Sequence, residues 1–327
     1  MNPAADRSLA RHEGIALTQK RVFTVDRLFH AFTYLSALAA LLLLVGVIVA
    51  LIEGSLPALA KFKFGFFFRD MWDPVKEDFG ALAPLFGTLV TAAIAMIIAV
   101  PVGIGIAIFL TELCPRALRR PIGIAIELLA GVPSIIFGIW GLFVLAPFLQ
   151  KNVQPALIGA FENIPVLSSL FAGPPYGIGI ATAGLILAIM VLPFVTAITR
   201  DVFQTVPAMQ KEAAYGVGCT TWEVVRHIVI PHTRIGILGG VMLGLGRALG
   251  ETMAVTFVIG NAHEIGTSLF GPGTTISATI ASEFTEAVGD LYTSSLIALG
   301  LLLFIVTFIV LACARLLLMR LSQRPGL

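Results

Sequence analysis

The chain has 327 residues, of which 57% are hydrophobic and 12% are charged, and its formal net charge is +2. Soluble domains average about 25% charged residues, so the composition excludes an ordinary soluble enzyme, and the small net charge gives no support for nucleic-acid binding. The three cysteines, Cys114, Cys219 and Cys313, are too far apart in the sequence to predict a disulfide framework or a metal site.

Six apolar runs predict membrane spans, because about 20 apolar residues are needed to cross the hydrocarbon layer. Backbone polar groups in lipid must be satisfied within their own segment, so we expect each run to be an α-helix. The first run is too long for a signal-peptide core and is expected to be retained. The predicted fold class is all-α, a polytopic membrane protein with spans near Leu28–Ile52, Leu82–Leu110, Pro121–Leu149, Gly177–Thr199, Ile235–Asn261 and Leu291–Leu318.

Lysine and arginine are distributed unequally over the connections between these runs. Fifteen of the 21 lie in the two tails and in the second and fourth connections, five lie in the other connections, and Arg247 lies inside the fifth run. Positive side chains concentrate on the cytoplasmic side of membrane proteins. The sequence therefore predicts cytoplasmic tails, 1–27 and 321–327, that flank a multi-pass domain, 28–320, surrounded by lipid.

The three connections on the predicted outer side are Ala60–Gly80, Asn152–Tyr176 and His263–Asp290. Each contains apolar residues, and the last contains four carboxylates and no lysine or arginine. We expect their apolar stretches to lie at the membrane surface or to re-enter the membrane.

The fourth connection, residues 206–231, is predicted to form two short helices. Pro207 suits the first helical position, and Gly218 suits the left-handed residue that ends a helix. Thr220 and Glu223 form the pattern of a capping box, which starts the second helix, and Pro231 is predicted to stop it. By local chemistry alone this segment could simply be a well-packed loop between two spans.

The same segment resembles the cytoplasmic loop of permease subunits of ATP-binding-cassette importers. That loop has the form Glu-Ala-Ala, three residues, Gly, nine residues, Ile, one residue, Leu-Pro, and this chain matches it from Glu212 to Pro231, with Ile230 in place of Leu. Residues 131–138 and 246–252 further resemble the phosphate-import branch of this family. The resemblance implies a type I importer permease fold and phosphate as the substrate, with another oxyanion, such as molybdate or sulfate, as the alternative.

In this family the loop docks on a separate ATPase and transmits its motion. The resemblance therefore implies an ATP-driven importer of a bacterial inner membrane, in which this chain forms half of the translocation pathway. The implied partners are a second, similar permease subunit, two ATPase subunits that hold ATP and Mg, and an external phosphate-binding protein. The implied coupling residues are Glu212, Ala213, Ala214, Gly218, Ile228 and Pro231.

Motifs for nucleotide binding and catalysis are absent from the sequence. It has no Gly-x-x-x-x-Gly-Lys-Ser/Thr, His-Glu-x-x-His or Gly-x-Ser-x-Gly motif. We therefore expect no enzymatic activity and no cofactor bound by this chain. Two other classes remain open: a secondary transporter, which would usually be longer and show a repeated half, and a membrane enzyme, which would need a catalytic cluster at a helix end.

Arg247 and Glu251 lie inside the fifth apolar run, four residues apart, and are expected on one helical face. A charge at this depth costs about 2.5–3.5 kcal/mol or more, so intramembrane charges usually mark functional sites. We predict that both line the translocation pathway, where Glu251 would keep Arg247 from holding an anion too tightly; an internal ion pair that fixes packing is the alternative. Glu127, near the cytoplasmic end of the third run, is a weaker candidate that could instead snorkel to the surface.

Glycines recur every four residues in the fifth run. Small residues on one stripe allow close helix approach in membranes. The partner of this stripe is either another helix of the same chain or the second permease subunit. The glycines are Gly236, Gly240 and Gly244, and then Gly246 and Gly250.

Overall fold

The computed structural model describes the backbone of residues 3–322 and the side chains of residues 26–316 and of Met319. Side chains of the predicted N-terminal tail up to residue 25, and residues 323–327 of the predicted C-terminal tail, lie outside the described part. Contacts divide the chain into a first unit, residues 1–53, and a second unit, residues 54–327.

The described residues contain six helical segments that are long and apolar enough to cross a membrane, which confirms the predicted number of spans. Two of the six begin well away from the predicted positions, as described below. The segments are Asp26–Phe62, Leu82–Leu113, Ser134–Phe161, Ile180–Gln204, Thr221–Gly250 and Asp290–Leu316.

The first helix, α1 (Pro3–Phe62), is much longer than the predicted run and includes residues 3–27, which were predicted as part of a tail. Helix α2 (Gly65–Phe68) follows, and then an antiparallel hairpin of β1 (Trp72–Asp73) and β2 (Asp78–Phe79). Aromatic side chains of α2 and the hairpin pack with the start of the last span in one buried cluster.

Helix α3 (Leu82–Ile108) ends in a π-helical turn, Phe109–Leu113. It packs along α9 (Ile180–Gln204), and the two helices form much of the main buried core. A Cβ added at Gly184 would lie 2.7 Å from Ile94, so this glycine lets the two helices approach closely.

The third span is not where the sequence predicted it. Helix α4 (Arg116–Ala130) ends at Gly131, and an apolar helix begins at Ser134. Pro133 lacks an N–H and disfavours the α conformation of the residue before it, so the helix breaks there. The prediction of one span over Pro121–Leu149 is therefore wrong. The new helix contains α5 (Ser134–Trp140), α6 (Ala146–Phe148) and α7 (Gln154–Phe161), joined by π turns at Gly141–Leu145 and Leu149–Val153.

The remaining elements complete the second unit. The fifth span also differs from its prediction, because the helix runs to Gly250 and breaks at Glu251 and Thr252. The elements are α8 (Pro165–Leu170), α10 (Ala208–Gly216), α11 (Thr221–Val224), a π turn (Val225–Val229), α12 (Ile230–Gly250), α13 (Met253–Ile259), α14 (Ile276–Glu283) and α15 (Asp290–Ser322).

The second unit has two ends, the basic end and the opposite end. The basic end carries the π turn Phe109–Leu113 together with α10 and α11. The opposite end carries the hairpin and α14. Residues Gly273–Thr279 are buried in the bundle at the opposite end, so this outer connection is not a free coil.

Candidate functional site

The segment Val206–Pro231, called the coupling segment below, has the local structure that its sequence predicts in most respects. Gly218 has a φ of 92°, in the left-handed region. The Thr220 hydroxyl accepts a hydrogen bond from the Glu223 N–H, and the Glu223 carboxylate accepts one from the Thr220 N–H at 2.7 Å. The predicted turn and capping box are therefore confirmed, while α10 starts one residue after Pro207.

Pro231 does not stop the second helix of the coupling segment, contrary to the prediction. It is the second residue of α12, which follows the π turn Val225–Val229 without interruption. Proline clashes with the carbonyl four residues earlier in a regular helix. The π turn before Pro231 shifts that carbonyl, and its hydrogen-bond pattern accommodates the backbone N–H that proline lacks. The helix therefore continues into the bundle.

Four of the six predicted coupling residues line one surface groove of about 730 Å³ at the basic end. Glu212 is exposed on α10, and Gly218 forms the turn beside it. The fold thus assembles the two halves of the motif at one place. The lining residues are Gln210, Ala213, Ala214, Val217, His227, Ile228, Pro231 and His232.

One face of the coupling segment is buried and the other is exposed. Phe203, Val206 and Val224 pack with Ala107 of α3 in a single apolar cluster. On the outside, Met209 is 79% exposed, and Val217 and Trp222 are similarly open. Exposed apolar groups that lie together mark an interaction surface.

An ion pair that the sequence analysis missed fixes α10 to α3. Lys211 Nζ lies 2.6 Å from the Glu112 carboxylate, and the two side chains are 19% and 7% exposed. The residues are 99 positions apart, so no local pattern in the sequence could have indicated the contact.

Arg247 and Glu251 do not form the predicted helical pair. Arg247 lies in the last turn of α12, but Glu251 follows the helix end with extended backbone at φ −71° and ψ 131°. The Arg247 guanidinium carbon instead lies 4.5 Å from the centroid of the Phe194 ring, and its buried Nε has no hydrogen-bond partner among the described residues. Their placement on one helical face is therefore wrong, while their role in the pathway stays a prediction.

The two helix breaks are near each other, because the helices that follow them, α5 and α13, pack together. A Cβ added at Gly138 of α5 would lie 3.1 Å from Ala254 Cα and 3.2 Å from the Met253 carbonyl oxygen of α13. The two segments that resemble the phosphate-import branch, 131–138 and 246–252, are thus the two broken places in the bundle. Broken helices occur at substrate sites of membrane transporters.

Glu127 lies on α4, before the break, and not inside the third span. Its carboxylate accepts a hydrogen bond from Arg200 Nη2 at 2.7 Å, and Arg200 also contacts Asp201 at 3.0 Å. Glu127 is half exposed. This ion pair joins α4 to α9, while the role of Glu127 in the pathway stays a prediction.

The first three glycines of the stripe pack against α9 of the same chain. A Cβ added at Gly236 would lie 2.5 Å from Val202, at Gly240 it would lie 3.0 Å from Ile198, and at Gly244 it would lie 2.8 Å from Val191. Gly246 makes only ordinary contact with Leu311, and Gly250 has open space around it. Of the two alternatives, intrachain packing accounts for the first three.

An aromatic cluster at the opposite end contacts His263 through Trp72. The His263 ring stacks on Trp72, with centroids 5.4 Å apart, and Trp72 contacts Phe79. The Tyr292 hydroxyl donates a hydrogen bond to Glu283. Burial lowers the pKa of His263, and the charge of Glu283 opposes this shift, so the imidazole is held toward its neutral form.

Comparison with known proteins gives one family. The model of the binding-protein-dependent transport system inner membrane component matches residues 99–323. The chain belongs to this family. A phosphate transport system permease protein PstC of Mesorhizobium japonicum is 68% identical over 309 residues, covering 94% of both chains. Another, from Haemophilus influenzae, is 53% identical over 302 residues, covering 92% of this chain and 96% of the relative.

Solved structures support the fold class. A subunit of a bacterial ABC transporter involved in the import of alginate matches with a TM-score of 0.57, 15% identity and coverage of 91% of this chain and 100% of that one. An inward-facing MetNI methionine ABC transporter matches with a TM-score of 0.52, 18% identity and coverage of 78% and 100%. The predicted all-α, type I importer permease fold is therefore confirmed, and the chain is a multi-pass membrane protein of a transport family.

Proposed function

We propose that this chain is the transmembrane permease subunit of an ATP-driven phosphate importer and forms half of its translocation pathway. The observation that carries the proposal is the groove at the basic end, where Ala213, Ala214, Ile228 and Pro231 converge beside Glu212. These residues match the family motif in sequence and lie together in the fold. The phosphate transport names of the relatives support the choice of substrate.

The coupling segment is the surface that meets the ATPase. Met209, Val217 and Trp222 give it exposed apolar contacts, and Glu212 gives it an exposed carboxylate. ATP and Mg bind to the partner, two copies of which drive a pair of permease subunits. The basic end faces the cytoplasm, since positive side chains collect there, and an external binding protein delivers phosphate at the opposite end.

Transport follows alternating access. Closure of the ATPase dimer on ATP binding moves the coupling segment, and the spans rock around the two helix breaks. Arg247, beside one break, has an Nε donor that no group among the described residues satisfies. A planar guanidinium suits phosphate oxygens, and Glu251, just after the end of the helix, keeps the anion from being held too tightly to leave.

The test is reconstitution of this chain in lipid vesicles with its second permease, its ATPase and its binding protein. We expect phosphate uptake that requires ATP, with weak competition by sulfate or molybdate. Uptake that needs no ATP would favour a secondary transporter, and preferential uptake of sulfate or molybdate would change the substrate. Reporter fusions after Gly218 and Asp73 test the orientation, with the first expected in the cytoplasm and the second outside.

A further inference from the structure

The Lys211–Glu112 ion pair stands out because it is enclosed. Glu112 is only 7% exposed, and its partner nitrogen lies at 2.6 Å. Most exposed ion pairs contribute little, but an enclosed carboxylate without its counter-charge is costly. The pair joins the residue before Glu212 to the π turn that ends α3, so it connects the coupling segment directly to a span.

The same π turn is held from a second side. Arg119 Nη2 of α4 donates a hydrogen bond to the Thr111 carbonyl oxygen at 2.8 Å. The end of α3 is thus tied to α10 and to α4 by directional polar contacts. Single π turns in membrane and soluble helices are often found at functional sites.

Helix α3 runs from this turn to the opposite end without a break. There the Thr88 hydroxyl accepts a hydrogen bond from the Ile276 N–H at 2.9 Å, and a Cβ added at Gly87 would overlap the Thr274 carbonyl oxygen. One helix therefore contacts the coupling segment at one end and the buried segment Gly273–Thr279 at the other.

We propose that the Lys211–Glu112 pair is the joint that passes movement of the coupling segment to α3, which makes both residues positioning residues for ATP-driven uptake. The inference rests on the proposed function. The apolar contacts around Phe203 and Val224 can slide past one another, whereas a short ion pair fixes the distance between α10 and the π turn. Without the joint, ATP would still be hydrolysed, but α3 would not follow.

The variants are chosen to separate this role from simple stabilisation. Replacing both members of an enclosed pair leaves no uncompensated charge and is often neutral for folding, so Glu112→Gln with Lys211→Met should assemble normally. The reversed pair, Glu112→Lys with Lys211→Glu, restores a joint of opposite polarity. Glu77→Gln is the matched control, because it breaks the exposed Lys61–Glu77 pair at the opposite end of the same chain.

The measurement is phosphate taken up per ATP hydrolysed by the complete complex in vesicles, with the amount of ATPase recovered with this chain. We expect the neutral double variant to lose about tenfold in this ratio, within the usual range of coupling between sites, with normal ATPase recovery. The reversed pair should regain most of the ratio, and Glu77→Gln should match the wild type.

Three results would overturn the proposal. They are a wild-type ratio of phosphate uptake to ATP hydrolysis in the neutral double variant, a reversed pair that is as uncoupled as the neutral variant, and loss of the ATPase from both of these variants. The last would mean that the pair only stabilises the fold. Failure of the wild-type complex to take up phosphate with ATP would instead overturn the proposed function.

Discussion

Two pairs of charged residues in this molecule differ in whether they form an ion pair. Lys211 and Glu112 are 99 positions apart and form an ion pair at 2.6 Å. Arg247 and Glu251 are four positions apart and form none, because the helix ends at Gly250. Sequence spacing is a guide to pairing only where the helix continues, and in the fifth span the break decides which groups meet.

The largest expected effect is at Arg247. We expect Arg247→Gln to abolish phosphate uptake while the complex still assembles, because an amide is much cheaper to bury than a charge. The exchange of Arg247 and Glu251 should not restore uptake, since no ion pair exists to be preserved. Phosphate uptake by cells, alongside the amount of complex in the membrane, is the measurement.

Arg120→Gln is the control for that experiment, because Arg120 is an exposed cation on α4, outside the coupling segment. It should leave uptake near the wild-type level. Near-normal uptake by the variant in which Arg247 and Glu251 are exchanged would show that both residues stabilise the fold and do not line the pathway.

The local structure of the coupling segment could be predicted from its sequence because short-range chemistry controls it. The Thr220–Glu223 capping box and the left-handed Gly218 involve atoms within a few residues of one another. The helix that continues through Pro231 could not be predicted, since the π turn before it depends on packing against the bundle. Local sequence rules therefore predicted the turn correctly but not the continuation of the helix through Pro231.

The positions of the broken spans were missed for a related reason. Hydropathy reports how long a segment stays apolar, and the segments around Pro133 and Glu251 stay apolar across their breaks. A helix break in an apolar run leaves the hydropathy unchanged. The signal that was available is the backbone restriction around Gly131 and Pro133, together with a charge at Glu251 that a buried helix face would not favour.

The second prediction concerns the left-handed turn. Gly218→Val should reduce ATP-driven uptake about tenfold, because a left-handed conformation costs an L-residue about 1–2 kcal/mol and a β-branched side chain is among the least tolerated there. A Cβ added at Gly218 has no described atom within 4 Å, so we attribute the effect to the backbone conformation. Uptake and ATP hydrolysis in vesicles are the readouts.

Gly216→Ala is the matched control for Gly218, since Gly216 is the last residue of α10 and also has open space around it. Alanine favours the helix by about 1 kcal/mol over glycine, so uptake should be unchanged or slightly higher. Equal uptake by the Gly218→Val variant would contradict a requirement for the turn.

A smaller effect is expected at Phe194, whose ring lies against the Arg247 guanidinium. Phe194→Leu should weaken phosphate uptake severalfold, because a cation–π contact to a partly buried cation contributes about 1 kcal/mol. Phe194→Tyr keeps the aromatic face and should retain uptake. A loss of equal size in both variants would indicate that the ring acts through packing. Measuring the apparent affinity for phosphate separately from the maximal rate of uptake distinguishes packing from the cation–π contact.

The smallest expected effect is the pH dependence of the opposite end. The pKa of His263 is lowered from 6.5 by burial, so the unfolded chain takes up a proton first as the pH falls. Stability should be flat above about pH 7 and should decrease as the pH drops through about 6.5 toward the lowered pKa of the folded protein. His263→Phe keeps the stacking on Trp72 and removes the titration, so its thermal unfolding should lose this dependence. His30→Gln, at an exposed histidine of the first unit, should leave the dependence unchanged, and a wild-type curve with no decrease below pH 6.5 would contradict the neutral, buried imidazole.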